Sequence, residues 1–163
     1  MASILNIATI VSMGLLIGTE LAVSVFVNPV LSQLDGPAQA RAIRLFAKRL
    51  GTAMPFWYAV NLVLLVVETI VRRGELIIRR FEASLWHGET SVPLLVTATG
   101  IWAAVILLSI LFLVPINNRM ARLDSDSLPE QAREEHKRWD TLHRLRVVAL
   151  VAAMVLFLVA IRV

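Results

Sequence analysis

Six polar side chains stand inside otherwise apolar stretches of this 163-residue chain: Glu20, Asn28, Asn61, Glu68, Asn117 and His143. A carboxylate, an imidazole and a set of amides can move protons and exchange hydrogen bonds, and in an apolar setting each is costly without a partner or a task. The chain has no cysteine, which excludes disulfides, thiolate nucleophiles and cysteine-held metals or iron–sulfur clusters. Any chemistry therefore rests on carboxylate, imidazole, amide or a bound cofactor. A metal set drawn from Glu20, Glu68, His143 and His136 is a lesser alternative, because no ligand spacing such as a histidine pair four residues apart accompanies it. A Gly-rich phosphate loop is missing, as is a second axial histidine for a haem, so no cofactor is expected.

Spacing gathers these residues into faces. At about 100° per residue, Glu20, Ser24 and Asn28 fall within about 80° of one another, and Asn61 lies within about 20° of Glu68, with Trp57 on the same stripe. Trp139, His143 and Arg146 fall within about 60°, and Trp102 shares a face with Ser109 on a helix that Asn117 ends. An ionisable group facing lipid costs at least about 2.5 kcal/mol, so these faces are expected to point at one another. Asn28, Pro29, Pro55, Trp57, Asn117, Trp139, His143 and Arg146 lie near one level, with Glu20 and Asn61 deeper. The expectation is a pocket open at one interface, with Glu20 and Asn61 at its floor.

The elements that position these faces follow from composition. The apolar fraction of 58% and mean hydropathy of +0.74 exceed the roughly 45–50% apolar content of soluble domains. Four apolar stretches, Ile4–Val30, Thr52–Val71, Val92–Ile116 and Leu142–Ile161, approach or exceed the ~20 residues that cross ~30 Å of hydrocarbon as helix. No segment alternates with period two, which argues against a β-barrel. The fold expected is all-α, one four-helix transmembrane bundle over residues 1–163. The first stretch lacks a basic n-region and carries Glu20, so it reads as a retained helix and not a cleaved signal. Gly14 and Gly18 form a small-xxx-small pair suited to close packing, and a homodimer through that face is a further expectation.

Charge sets the orientation. Arg41, Arg44, Lys48 and Arg49 stand in the first loop and Arg119, Arg122, Arg133, Lys137, Arg138, Arg144 and Arg146 around the third, against Arg72, Arg73, Arg79, Arg80 and Arg162 elsewhere. The positive-inside rule puts loops one and three in the cytoplasm and both termini outside. The net charge of +4 and pI near 10.6 then point to anionic lipid headgroups as partners and not to nucleic acid. Glu75–Trp86 carries an apolar stripe of Ile77, Ile78, Phe81 and Leu85, which predicts a short interfacial helix. Ser127 and Glu130 have capping-box spacing, and nothing from Glu130 onward breaks a helix, so the fourth helix is expected to run on into the cytoplasm. Val147–Ile161 alone would span only about 22 Å, which draws His143 and Arg146 toward the membrane. A histidine is too short to snorkel and must find a local partner.

The stretches GTELAVSVFVNPVL (18–31), GTAMPFWYA (51–59), PINNRMA (115–121) and WDTLHRLRV (139–147) resemble the small four-helix membrane proteins of the anthrone oxygenase-like family. The motifs carrying the likeness are Asn28 with Pro29, then Pro115, Ile116 and Asn117, then Trp139, His143 and Arg146. The resemblance implies oxidation of a polycyclic anthrone to the quinone by molecular oxygen without a bound cofactor. That chemistry needs a base for an acidic C–H, a donor for the developing oxyanion and an apolar slot. On this reading His143 is the base, Asn117 or Arg146 the oxyanion donor, Glu20 a group orienting the histidine, and Asn28, Trp57, Asn61, Trp102 and Trp139 the substrate-binding walls.

A different class of reading keeps the pocket without the chemistry: a membrane protein holding a lipid, quinone or other apolar ligand, or one docking on a partner membrane protein. The extension of the fourth helix discriminates, because a helix packed over the pocket is a lid and a free one is a docking surface.

Overall fold

The computed structural model describes the backbone of residues 2–82, 90–123 and 129–163, and it is all-helical there. Helix α1 runs Ala2–Ala22, continues through a π-helical turn at Val23–Val27 and ends with Asn28–Leu31. A tight turn leads into α2, Gly36–Glu82. Helix α3 runs Ser91–Leu108, again passes through a π-helical turn, Ser109–Leu113, and closes with Val114–Met120. Helix α4 is Glu130–Ala160. Among the described residues four helices are long and apolar enough to cross a membrane.

The two π turns have a common physical cause. A proline ring collides with the carbonyl four residues before it and supplies no N–H to that carbonyl. For Pro29 that carbonyl belongs to Val25, and for Pro115 to Leu111, each inside a π turn, where the wider backbone relieves the clash. Beyond each turn Pro sits at the first or second position of the next helical segment, where it is tolerated.

Packing follows the bilayer rule that interiors are tight and exteriors apolar. Met13, Leu16, Leu65, Leu95, Trp102, Leu150 and Phe157 are buried where the four helices meet, and Ala98, Ala153 and Ala160 let α3 and α4 approach closely. Ile4, Ile7, Val11 and Leu15 of α1 each expose more than half their surface, an outward apolar stripe suited to a bilayer. Gly14 faces α4, where an added Cβ would meet the Met154 Cε at 3.7 Å, while Gly18 meets nothing within 4 Å.

Two helices overrun the membrane. At 1.5 Å per residue the 47 residues of α2 extend about 70 Å and the 31 of α4 about 46 Å, against about 30 Å of hydrocarbon. Their end turns meet the ends of α1 and α3 in a second core, built from Ala40, Ile43 and Ala47 of α2, Ala132 of α4, Leu31 of α1, and Ile116 and Met120 of α3. The stretch expected as a separate interfacial helix continues α2 through Glu82 instead, since neither Gly74 nor the charged pairs beside it break a helix; Leu85 and Trp86 lie outside the described residues. Helix α4 starts at Glu130 as expected, with Pro129 before it, while Ser127 lies outside the described residues.

Candidate functional site

Glu20, 3% exposed, is the centre of a buried charge cluster joining α1, α2 and α4. Its Oε1 accepts from the Tyr58 hydroxyl at 3.0 Å, and its Oε2 from Nη2 of Arg146 at 2.6 Å. His143 completes the group: its Nε2 lies 3.0 Å from the Glu20 backbone carbonyl and its Nδ1 is 3.1 Å from Oε2 and 2.9 Å from Arg146 Nη2. A carbonyl oxygen only accepts, so in the neutral imidazole the proton sits on Nε2 and the Nδ1 lone pair faces the guanidinium. Arg146 also reaches Ser109 in the π turn of α3 at 3.4 Å and lies over the Tyr58 ring, 5.4 Å from its centroid. The short His143 thus finds its partners inside the protein.

A cavity lies beyond this cluster, at the end of the bundle that carries the first and third loops. It encloses about 410 Å³, part of it open to the surroundings, and its wall is mainly apolar: Val23, Val27 and Leu31 of α1, Ile43, Phe46, Ala47 and Leu50 of α2, and Met120 of α3. The polar members are Asn28, Asn117, His136 and Trp139. The overhang of α4 packs over the cavity, with Ala132 buried in the second core.

Each amide is held by its nitrogen. Asn28 donates from Nδ2 to Asp140 Oδ1 at 2.5 Å, and Asp140 is braced by Arg144 at 2.8 Å. The π turn makes this reach possible: one extra residue absorbs about 100°, so Asn28, some 80° from Glu20 on a regular helix, comes within roughly 20° of it and faces α4. Asn117 donates from Nδ2 to the Ala47 carbonyl at 3.0 Å. It comes that close because α2 carries Gly51 there; a Cβ on Gly51 would stand 2.5 Å from Asn117 Nδ2.

Trp139 separates the cavity from the charge cluster. Its indole stacks on His143, centroids 4.7 Å apart and planes 12° apart, and on His136 at 6.0 Å and 7°. Of the residues expected at the site, Asn28, Asn117 and Trp139 line the cavity, whereas Glu20, His143 and Arg146 lie behind the indole. Trp57, Asn61 and Trp102 do not line it either. Trp57 donates to Ser12, Trp102 donates to the Tyr58 carbonyl deep in the core, and Asn61, fully buried, donates to the Trp57 carbonyl with no partner for its Oδ1. The floor expected from Glu20 and Asn61 is therefore replaced by Trp139. Glu68 belongs to a separate contact with Thr9 Oγ1, 3.2 Å away. Among the described residues no three His, Asp or Glu side chains gather as a metal set.

The reading of the sequence did not give His136 a place at the cavity, nor did it single out Tyr58 or Asp140. His136 was legible, because positions 136, 139, 143 and 146 recur at helical spacing and form one stripe. Asp140 and Tyr58 carry no such signal, since their partners come from another helix.

The anthrone oxygenase family model matches residues 45–156 of the chain, which takes in most of α2, all of α3 and most of α4 and leaves α1, with Glu20 and Asn28, and the first turns of α2, with Ile43, outside. No curated protein and no solved structure matches the chain.

Proposed function

The chain belongs to the anthrone oxygenase family, as the match over more than half its length shows, and from that premise we propose that it oxidises a fused aromatic ketone at its ring methylene with molecular oxygen, in the cavity under Trp139. The observation that carries this reading is the cavity itself, an apolar slot walled by an indole plane and furnished with one imidazole and two amides. A flat ring lies beside the Trp139 indole, which His136 and His143 hold in a stack. His136 takes the role of base, because its imidazole faces the cavity while the Nδ1 of His143 is engaged by Arg146. One N–H of Asn28 and one of Asn117 are committed to Asp140 and Ala47, and each amide keeps a second N–H for a developing oxyanion.

The reaction balances without a further reagent. His136 removes one methylene proton, and the charge spreads to the ketone oxygen. The carbanion passes one electron to O2, and the two radicals combine to a peroxide that the imidazolium protonates. Loss of the second C–H proton to His136 with cleavage of the O–O bond makes the new ketone; the departing hydroxide takes that proton and leaves as water. Ketone methylene plus O2 gives quinone plus water, with the imidazole restored, so no cofactor is required. The cations around loops one and three support a cytoplasmic position for this end of the bundle.

The test uses the full chain in lipid nanodiscs with anthrone, following oxygen uptake and quinone absorbance together. The expected result is stoichiometric conversion that falls by about 10²–10⁴-fold in His136→Ala. Turnover unchanged in that variant removes the base, and saturable binding without oxygen uptake leaves a ligand-binding protein.

A further inference from the structure

The four helices close a ring, each against its chain neighbours and α1 against α4, so the cavity has four seams. Three are pinned by polar contacts at its level. Asn28 bonds Asp140 across the α1–α4 seam. Asn117 bonds the Ala47 carbonyl across the α2–α3 seam, where Gly51 leaves no room for a side chain. Arg119 pairs with Glu135 across the α3–α4 seam at 2.9 Å, beside the packed Ile116, Met120 and Ala132. The α1–α2 seam differs. At this level Val23 and Val27 of α1 and Phe46 and Leu50 of α2 line the cavity on its two sides, and among the described residues no hydrogen bond crosses it there. Its polar ties, Tyr58 to Glu20 and Trp57 to Ser12, sit deeper, the first about two turns past Leu50 on α2 and within one turn of Val23 on α1.

Phe46 marks where this seam opens. It lines the cavity yet is 40% exposed, and the outward side chains around it are Phe26 at 68%, Val30 at 59% and Leu45 at 55% exposed, with the exposed Arg49 one turn along α2. A mouth framed by Phe26, Val30 and Leu45 with Arg49 beside them sits at the level where acyl chains meet headgroups, and its apolar side faces the bilayer.

We propose that the cavity loads sideways from the bilayer through a portal between α1 and α2, with the Phe46 ring as its gate, and that its ligand is an apolar aromatic that partitions into lipid. This rests on the reading of the cavity as a ligand site. Rotation of one aromatic side chain opens the portal without breaking a hydrogen bond, whereas opening any other seam breaks a polar contact that pins it.

The experiment exploits the absence of native cysteine. The full chain is reconstituted in phosphatidylcholine vesicles with a nitroxide on Phe46→Cys, and collision with oxygen, which concentrates in lipid, is compared with collision with a water-soluble nickel chelate. Val30→Cys is the lipid reference and Lys137→Cys the aqueous one. In parallel, 9,10-anthraquinone loading is followed by quenching of tryptophan fluorescence, with Trp139→Phe defining the specific component. The portal requires a label at 46 that behaves as at 30, and loading and unloading rates that move in the same direction, both slowed about tenfold by Phe46→Trp and both hastened by Phe46→Ala. A label that behaves as at 137, or rates equal in all three proteins, overturns the portal and leaves the ligand site standing. No saturable quenching in the parent chain overturns the ligand site and the portal together.

Discussion

Replacing Gly51 by alanine separates the cavity's geometry from the fold's stability. Gly51 lies inside α2, where alanine is the better helix former by about 1 kcal/mol. Its new Cβ, 2.5 Å from Asn117 Nδ2, forces that amide away, because a side-chain end yields before a backbone does. Asn117 then loses its bond to the Ala47 carbonyl, which contributes about 0.5–1.5 kcal/mol in proteins generally and averages about 0.6 kcal/mol between membrane helices. The gain and the loss offset each other, so Gly51→Ala changes unfolding free energy by less than about 1 kcal/mol and Tm by a few degrees at most. Ligand binding is not compensated. If the displaced amide gives up one hydrogen bond of about 1 kcal/mol to the ligand, affinity falls about fivefold. Thermal unfolding in detergent and anthraquinone titration in nanodiscs measure the two effects on one sample. The decisive comparison is a cycle with Asn117→Ala: with no amide left to displace, Gly51→Ala has no further effect on affinity. An affinity loss from Gly51→Ala that is the same whether or not Asn117→Ala is also present refutes the argument that Gly51 acts through this amide.

The remaining predictions probe the charge cluster and the lid. Glu20→Gln leaves the Arg146 guanidinium, 13% exposed, without its counter-ion and is expected to cost about 3–5 kcal/mol in a denaturant titration, whereas Glu20→Leu with Arg146→Met recovers most of the loss; equal destabilisation in the single and double variants contradicts this pairing. Ala132→Asp places a carboxylate in the second core, costs about 1–3 kcal/mol and loosens the overhang of α4, so limited proteolysis cleaves beyond Met120 faster than in the parent, and unchanged cleavage means the overhang is held elsewhere.

How much of this was legible in the residues depends on which rule governed each feature. The four spans were, because lipid demands about 20 apolar residues per crossing and leaves few other solutions. The sites of the π turns were half-visible in Pro29 and Pro115, which require local relief, but nothing in the sequence says that relief takes the form of an inserted residue. That insertion rotates Asn28, which is why the facing arithmetic for a regular helix put it on the wrong azimuth. Depth along the helix draws His143 into the membrane and makes it the base that the sequence offers; His136 enters the proposal because the cavity, at the end where α4 overhangs, takes in its ring. The Glu20–Arg146 pair could be expected in kind, since a buried charge seeks its opposite, but the identity of the partner is a property of tertiary packing.

The cluster behind Trp139 poses the harder question of why a membrane bundle buries a carboxylate, a guanidinium and an imidazole that never reach its cavity. Stability is a poor answer, since well-packed apolar residues commonly replace a buried ion pair at no loss. Geometry is a better one. Leucine and methionine in those positions fill the same space but slide, whereas Glu20 is fixed by three hydrogen bonds to two other helices, from Tyr58 and Arg146 to its carboxylate and from His143 Nε2 to its backbone carbonyl. These contacts hold the plane of the His143 ring, and the stacked ring in turn holds Trp139 from behind. One level up, Asn28 and Asp140 repeat the α1–α4 tie, so the wall of the cavity is clamped above and below. The consequence is measurable in Glu20→Leu with Arg146→Met: the bundle persists while the Trp139 indole loses its orientation, so anthraquinone affinity falls in a protein whose melting is nearly that of the parent. Affinity and stability falling together in that double variant indicate that the cluster serves the fold alone.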